Sequence, residues 1–194
     1  MNDTEIQLLT LLNSYGDIIE LDWEFDANGI ISDLKNLKWE QGPNGKSGLN
    51  LTGPPSGLDL EHEKKHDAYQ VPNQNLNSCT GLVPFFSKWE KLARCRAVEL
   101  QAGSFFGMHR DAHKMRPQMR IFIPLNKTDV HQWNFVYNTE LHHFKPAKAY
   151  ILNTRKQHGS FAMVDGIYHI LMSVFITEEN IKTVQNMLPN CKEH

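Results

Sequence analysis

The sequence predicts a mainly β protein, an antiparallel barrel or jelly roll with helices flanking it on the N-terminal and C-terminal sides. Two observations carry this. From Cys95 onward the apolar spacing takes a period of two, in the pieces CRAVELQ, FGMHRD, MRIFIPL, WNFVYN, HHFKP, AYILNT, SFAMV and YHILMSVFI. Eight such pieces within about 80 residues, separated only by short breaks, fit a closed antiparallel sheet and not a parallel sheet with crossover helices. The helical patterns, in turn, all lie outside this block.

The first of them spans residues 5–14. Thr4 is placed to cap it, with Gln7 answering as the third helical residue, and Gly16 ends it. Ile6, Leu9 and Leu12 form its apolar stripe, widened by Leu8 and Leu11. From Asp17 the chain breaks into IIELDWEF and ISDLKNLKW, which read as small strands or turns. Residues 41–78 are rich in Gly, Pro, Asn and Ser and read as a long surface excursion. A second helix is expected from Pro84 to about Arg94, with Phe85, Trp89 and Leu92 on one face. After the strands, Thr177 caps a final helix, TEENIKTVQNML, which begins with two acids and packs through Ile181, Val184 and Leu188.

A chain of 194 residues fits one domain. Its expected parts are a helical and loop-rich segment 1–95 packing on the barrel, a core barrel 96–176, and a C-terminal helix and tail 177–194. Twenty Lys plus Arg against 22 Asp plus Glu give a formal charge of -2. With no basic block, a nucleic-acid partner is not expected. No run of 18 apolar residues suggests a membrane span, and the start Met1-Asn-Asp-Thr-Glu lacks the pattern of a secretory leader. Cys79, Cys95 and Cys191 form no zinc-type or redox pair, so a cytoplasmic location is the expectation.

The chemistry concentrates in GMHRDA and NTRKQHGS. His109 and Asp111 stand two apart and would project to one side of a strand, while His158 follows 47 residues after Asp111. Two neutral imidazoles and one carboxylate can bind one face of an octahedral divalent metal such as Fe(II), leaving neighbouring positions for a chelating co-substrate and O2. A His-x-Asp pair alone is common. His113, His131, His142, His143 and His169 compete with these ligands, and His113 shares strand parity with His109 and Asp111.

Taken together, AVELQAGSFFGMHRDA, RIFIPL, AYILNTRKQHGSF and YHILMSVFI resemble the aspartyl/asparaginyl β-hydroxylase family of Fe(II)/2-oxoglutarate-dependent oxygenases, which includes small proline cis-hydroxylases. The resemblance covers residues 80–176 and is clearest from Ala102 to Val174. It implies a double-stranded β-helix, a cupin-like jelly roll, with iron bound by His109, Asp111 and His158. The implied reaction hydroxylates an unactivated carbon of an amino acid or peptidyl side chain and releases succinate and CO2.

The resemblance also places Arg120, at the head of RIFIPL, against 2-oxoglutarate, and puts His169 near the co-substrate. Many members of the family carry a further arginine where this chain has Ile167. Arg116, Arg155 and Lys156 are the local cations that could replace it, Arg116 and Arg155 serving equally as loop residues. Trp39, Phe106, Trp133 and Tyr137 are candidate walls for a substrate. A cupin-like metalloenzyme that makes no use of 2-oxoglutarate, and a non-catalytic metal-binding or sensing barrel, are the alternative readings.

Overall fold

In the computed structural model, which describes residues 3–54, 70–111 and 118–189, two antiparallel sheets lie face to face. The larger sheet has seven strands. In spatial order they are β1 (Ile18–Glu24), β9 (Lys148–Leu152), β6 (Gln118–Pro124), β11 (Ile167–Phe175), β4 (Arg96–Leu100), β3 (Lys46–Asn50) and β2 (Glu40–Gln41). The smaller sheet has the order β5 (Phe105–His109), β10 (His158–Ala162), β7 (Trp133–Tyr137) and β8 (Glu140–His142). This is the predicted jelly roll.

Strand alternation sorts the side chains of the large sheet into two cores. On β11, Tyr168, Ile170, Met172 and Val174 face outward into a core shared with the helices, while Ile167 and Leu171 face the small sheet. With both faces covered, β11 reads as an apolar run broken by His169 and Ser173. Between the sheets, Phe122, Trp133, Phe135 and Phe144 form a continuous aromatic cluster with ring centroids 5.0–6.0 Å apart. Burying such rings supplies the non-directional drive that keeps the sheets together.

The outer core is closed by α1 (Asp3–Tyr15), α2 (Ala27–Lys35), α3 (Gln74–Ser78), α4 (Val83–Phe86) and α5 (Glu178–Asn186). As expected, Thr177 caps α5, accepting from the Asn180 N–H at 3.2 Å, and Ile181 and Val184 are buried. The other helices depart from expectation. Helix α1 starts at Asp3, so Thr4 lies inside it, and its buried residues are Leu8, Leu11 and Leu12, with Ile6 46% exposed. ISDLKNLKW is mostly α2, capped by Asp26 on the Gly29 N–H and packed through Ile30 and Leu34, one turn apart.

The expected helix over 84–94 is reduced to α4. Past it the backbone pairs with β11 instead, Ala93 N–H donating to Ser173 O at 2.8 Å and Phe175 N–H to Lys91 O at 3.0 Å. Inside the expected surface excursion 41–78, SGLN forms most of β3, a strand of the large sheet, and QNLNS forms α3. The segment before Cys95 thus contributes three strands as well as helices. Among the described residues no helix is long and apolar enough to cross a membrane. Cys79 and Cys95 are free and buried, and Cys191 lies outside the described residues.

Candidate metal centre

The pairing of β5 with β10 sets His158 directly opposite His109. Two residues further along β10, Ser160 pairs with Phe106, so β5 carries one extra residue, a β-bulge at Gly107 and Met108. Gly159 lies against this bulge: a Cβ there would stand 2.8 Å from Phe106 O and 3.2 Å from Met108 N, so the close strand approach requires glycine. The two imidazoles face each other with centroids 4.3 Å apart.

Each ring is fixed by its Nδ1, which meets Gly107 O at 2.7 Å in His109 and Lys156 O at 3.0 Å in His158. Carbonyls only accept, so both rings donate from Nδ1 and turn Nε2 to the same space; the hydrogen bond to Asp111 raises the His109 imidazole above its ordinary value, so its Nε2 would ligate a metal by giving up a proton. The loop before His158 is tied down in turn. Tyr137 donates to Asn153 O, the Asn153 amide donates to Asp17 Oδ1 at 2.7 Å, and Lys156 forms an ion pair with Asp17. Asn153 therefore orients this segment through its amide.

Asp111 supplies the third group from just beyond the end of β5, anchored by its N–H on Thr154 O at 3.0 Å. Its Oδ1 lies 3.4 Å from His109 Nε2 and 3.9 Å from His158 Nε2. All three ligand atoms fall within 4.8 Å of one another, and among the described residues they form the one His/Cys/Asp/Glu cluster so arranged. Neighbouring ligands on an octahedral ion are about 3 Å apart, so modest side-chain adjustment would seat one metal. The donor set, two nitrogens and one oxygen with no thiolate, suits Fe(II).

The other oxygen of Asp111, Oδ2, accepts from Arg120 at 3.0 Å, while Arg120 also donates to Ser173 Oγ, its partner in the β6–β11 register. Burial pushes the Asp111 carboxyl up, but the His109 hydrogen bond and the Arg120 charge outweigh it and hold the group well below the usual carboxylate range. Asp111 is thus ionised and ready to ligate. Burial pushes the His158 imidazole down, favouring its neutral form.

This cluster lines a pocket of about 90 Å³ between the sheets, lined also by Arg96, Phe106, Phe122, Trp133, Phe135, His169 and Leu171. Of the residues expected at the site, His109, Asp111, His158, Arg120 and His169 come together here. Arg155 does not: it is exposed and lines a separate, smaller pocket against α1. Arg116 and His113 lie outside the described residues. His131 and His143 are exposed, and His142 packs on Phe144 at 4.6 Å. Phe106 and Trp133 line the cavity as expected, whereas Trp39 packs on Tyr168 in the outer core. Ile167 is fully buried in the inner core.

Arg96 was not among the expected residues. Its signal is phase: it shares strand parity with Val98 and Leu100, and in CRAVELQ that parity faces inward.

No protein-family model matches the chain, and no curated protein matches it in sequence. Among solved structures it is similar to an oxidoreductase of the 2OG-Fe(II) oxygenase family from Burkholderia pseudomallei, with TM-score 0.55, 16% identity and 91% of each chain covered. It is also similar to a prolyl hydroxylase from Trichoplax adhaerens in complex with a hypoxia-inducible-factor peptide, with TM-score 0.55, 12% identity and 91% of each chain covered. A prolyl-4-hydroxylase from Pseudomonas putida has TM-score 0.52 and 12% identity over 88% of this chain and 98% of that one. At these identities the likeness is one of fold.

Proposed function

We propose that this protein is an Fe(II)- and 2-oxoglutarate-dependent dioxygenase that hydroxylates an unactivated carbon of an amino acid or a peptidyl side chain. The observation that carries this reading is the His109–Asp111–His158 cluster at the end of a cavity walled by aromatic rings. It stands on a fold shared with three solved oxygenases. When bound, the iron and the 2-oxo acid supply the activation of O2 and the oxidative release of succinate and CO2.

The chain's own residues do the rest. Nε2 of His109 and His158 and Oδ1 of Asp111 would hold the metal, and all three approach from one side. A metal held by these three groups would have positions left for a bidentate ligand and O2. Arg120 positions Asp111 by holding its Oδ2. Phe122, Trp133 and Phe135 keep water away from the reacting carbon. His109 is 46% exposed at the mouth, which is where the substrate side chain would enter. The peptide bound by the Trichoplax prolyl hydroxylase supports a peptidyl substrate as one form of that side chain.

The test is an anaerobic titration of 2-oxoglutarate into Fe(II)-loaded protein, followed by visible absorption. A saturable charge-transfer band, absent in Asp111→Ala protein, is expected. Stoichiometric iron with no band at saturating 2-oxoglutarate would refute the assignment.

A further inference from the structure

A sheet covered on one side usually turns apolar residues inward and polar residues outward. The small sheet keeps only half of this rule. Trp133, Phe135, Tyr137 and Ala162 face inward into the core between the sheets, and His158 and Ser160 face the pocket. The positions between them point outward and are apolar as well. Phe105 pairs with Phe161 across β5 and β10, and Val136 pairs with Leu141 across β7 and β8. Met108 joins them, its sulfur lying 2.9 Å from where a Cβ on Gly159 would stand.

Phe105, Met108, Phe161 and Leu141, with Met163 just past β10, are between 43% and 58% exposed. They are five of the ten large apolar side chains left exposed among the described residues, gathered on one face. No outward position of the four strands carries a charge. The outward polar side chain, Asn134, already donates to Val130 O at 3.0 Å. The outer face of the large sheet, by contrast, is covered by helices.

Area and width indicate what fits this face. Each of the five side chains leaves roughly half of about 200 Å² open, which makes about 450 Å² of apolar surface per chain. Laid against an identical face, the two would bury about 900 Å² of apolar surface. Apolar atoms form roughly 60% of an interface, so the whole would be about 1,500 Å², the size of a stable pair. From β5 to β8 the face is about 14 Å across, more than one helix or one extended segment covers. A second sheet of the same width fits it, since sheets pack through interdigitating apolar faces. A face without charge is also complementary to itself, as a two-fold pair requires.

We infer that this face joins two copies of the chain in a two-fold pair, sheet on sheet. His109 and His158 turn to the opposite face of the same strands, so the pairing needs no metal and stands apart from the dioxygenase reading.

The experiment is sedimentation equilibrium of the full chain over a dilution series, with methionine methyl groups 13C-labelled for NMR on the same samples. The wild-type chain is expected at twice the chain mass at high concentration, falling towards one on dilution. Over that series the methyl resonances of Met108 and Met163 should move. Those of Met119 and Met172, buried in the outer core, should not. Phe161→Glu and Leu141→Lys each put a charge on the face and should weaken pairing by about tenfold or more. Val83→Glu, at an exposed apolar position on α4, should leave it unchanged.

Far-ultraviolet circular dichroism checks that the variants fold, and the wild-type methyl shifts keep the test intact where one does not. A wild-type chain that stays monomeric throughout, or a pair undiminished in both charged variants, would overturn the inference. So would Met108 and Met163 resonances that respond to phosphatidylcholine vesicles and not to protein concentration, which would make the occupant a lipid surface.

Discussion

The spacing of the metal ligands depends on one glycine, and this can be tested without turnover. A Cβ on Gly159 would stand 2.8 Å from Phe106 O, 2.9 Å from Met108 Sδ and 3.2 Å from Met108 N. The sulfur can swing away, but the two backbone atoms belong to β5 and cannot. Ordinary contact begins at 3.4 Å, so in Gly159→Ala protein β5 and β10 must part by about half an ångström beside the His109–His158 pair. Overpacking of this kind costs roughly 1–3 kcal/mol. That should lower the melting temperature of the metal-free protein by roughly 2–12 °C. The same displacement is about the tolerance of a functional constellation, so metal affinity should fall by roughly 10–100-fold.

Gly107→Ala is the control. It lies in the same bulge, yet nothing stands within 4 Å of its added Cβ, and stability should stay within about 0.5 kcal/mol of wild type. Thermal unfolding and chelator-competition titration of Zn(II) measure both effects. Wild-type metal affinity in Gly159→Ala protein would sink the argument that this strand contact sets the ligand geometry.

Three further outcomes follow from individual side chains. Burial pushes the His169 imidazole down from 6.5 to about 3, so it takes up a proton only on unfolding. Its contribution is therefore neutral above pH 6.5, and stability falls by up to about 1.4 kcal/mol per pH unit as pH drops from 6.5 towards 3. Urea titrations at pH 7, 6 and 5 should show a shallower loss in His169→Phe than in wild type, and equal slopes would contradict this. Burial also pushes the Cys79 and Cys95 thiols up to about 12, so in Cys191→Ser protein a thiol reagent should react only as the chain unfolds. Thr177→Ala removes the cap on Asn180 N–H and should cost about 1 kcal/mol by urea denaturation, with metal binding unchanged.

Much of the barrel was legible because seven of the eight period-two pieces overlap β4 to β7 and β9 to β11, where inward and outward positions meet different surroundings, whereas HHFKP shares only His142 with β8. Elsewhere local pattern is overruled by distant partners. Trp89 and Leu92 have the spacing of a helix face, yet both are buried in the outer core, and the segment around Leu92 bridges to Val174 on β11. Conversely, α2 hides in a stretch where only Ile30 and Leu34 mark a buried side, and Asp26 gives a cap without a capping-box partner. SGLN looks like loop text among Gly and Pro, but its Leu49 is fully buried once β4 lies beside it.

The grouping of His109, Asp111 and His158 was legible, but what holds them together was not. His109 and Asp111 were expected to share a strand face. In fact β5 ends at His109, and Asp111 reaches the cluster because its backbone is tied to Thr154 at the end of β9. Parity thus gave the correct grouping through a geometry it did not describe. Trp133 could be named as a wall, but its orphaned N–H is a property of packing: it depends on β7 facing β11 across the cavity, which pairs Trp133 with His169. Phe122, stacked on both rings at 5.1 Å from His169 and 5.7 Å from Trp133, is the residue through which that packing acts.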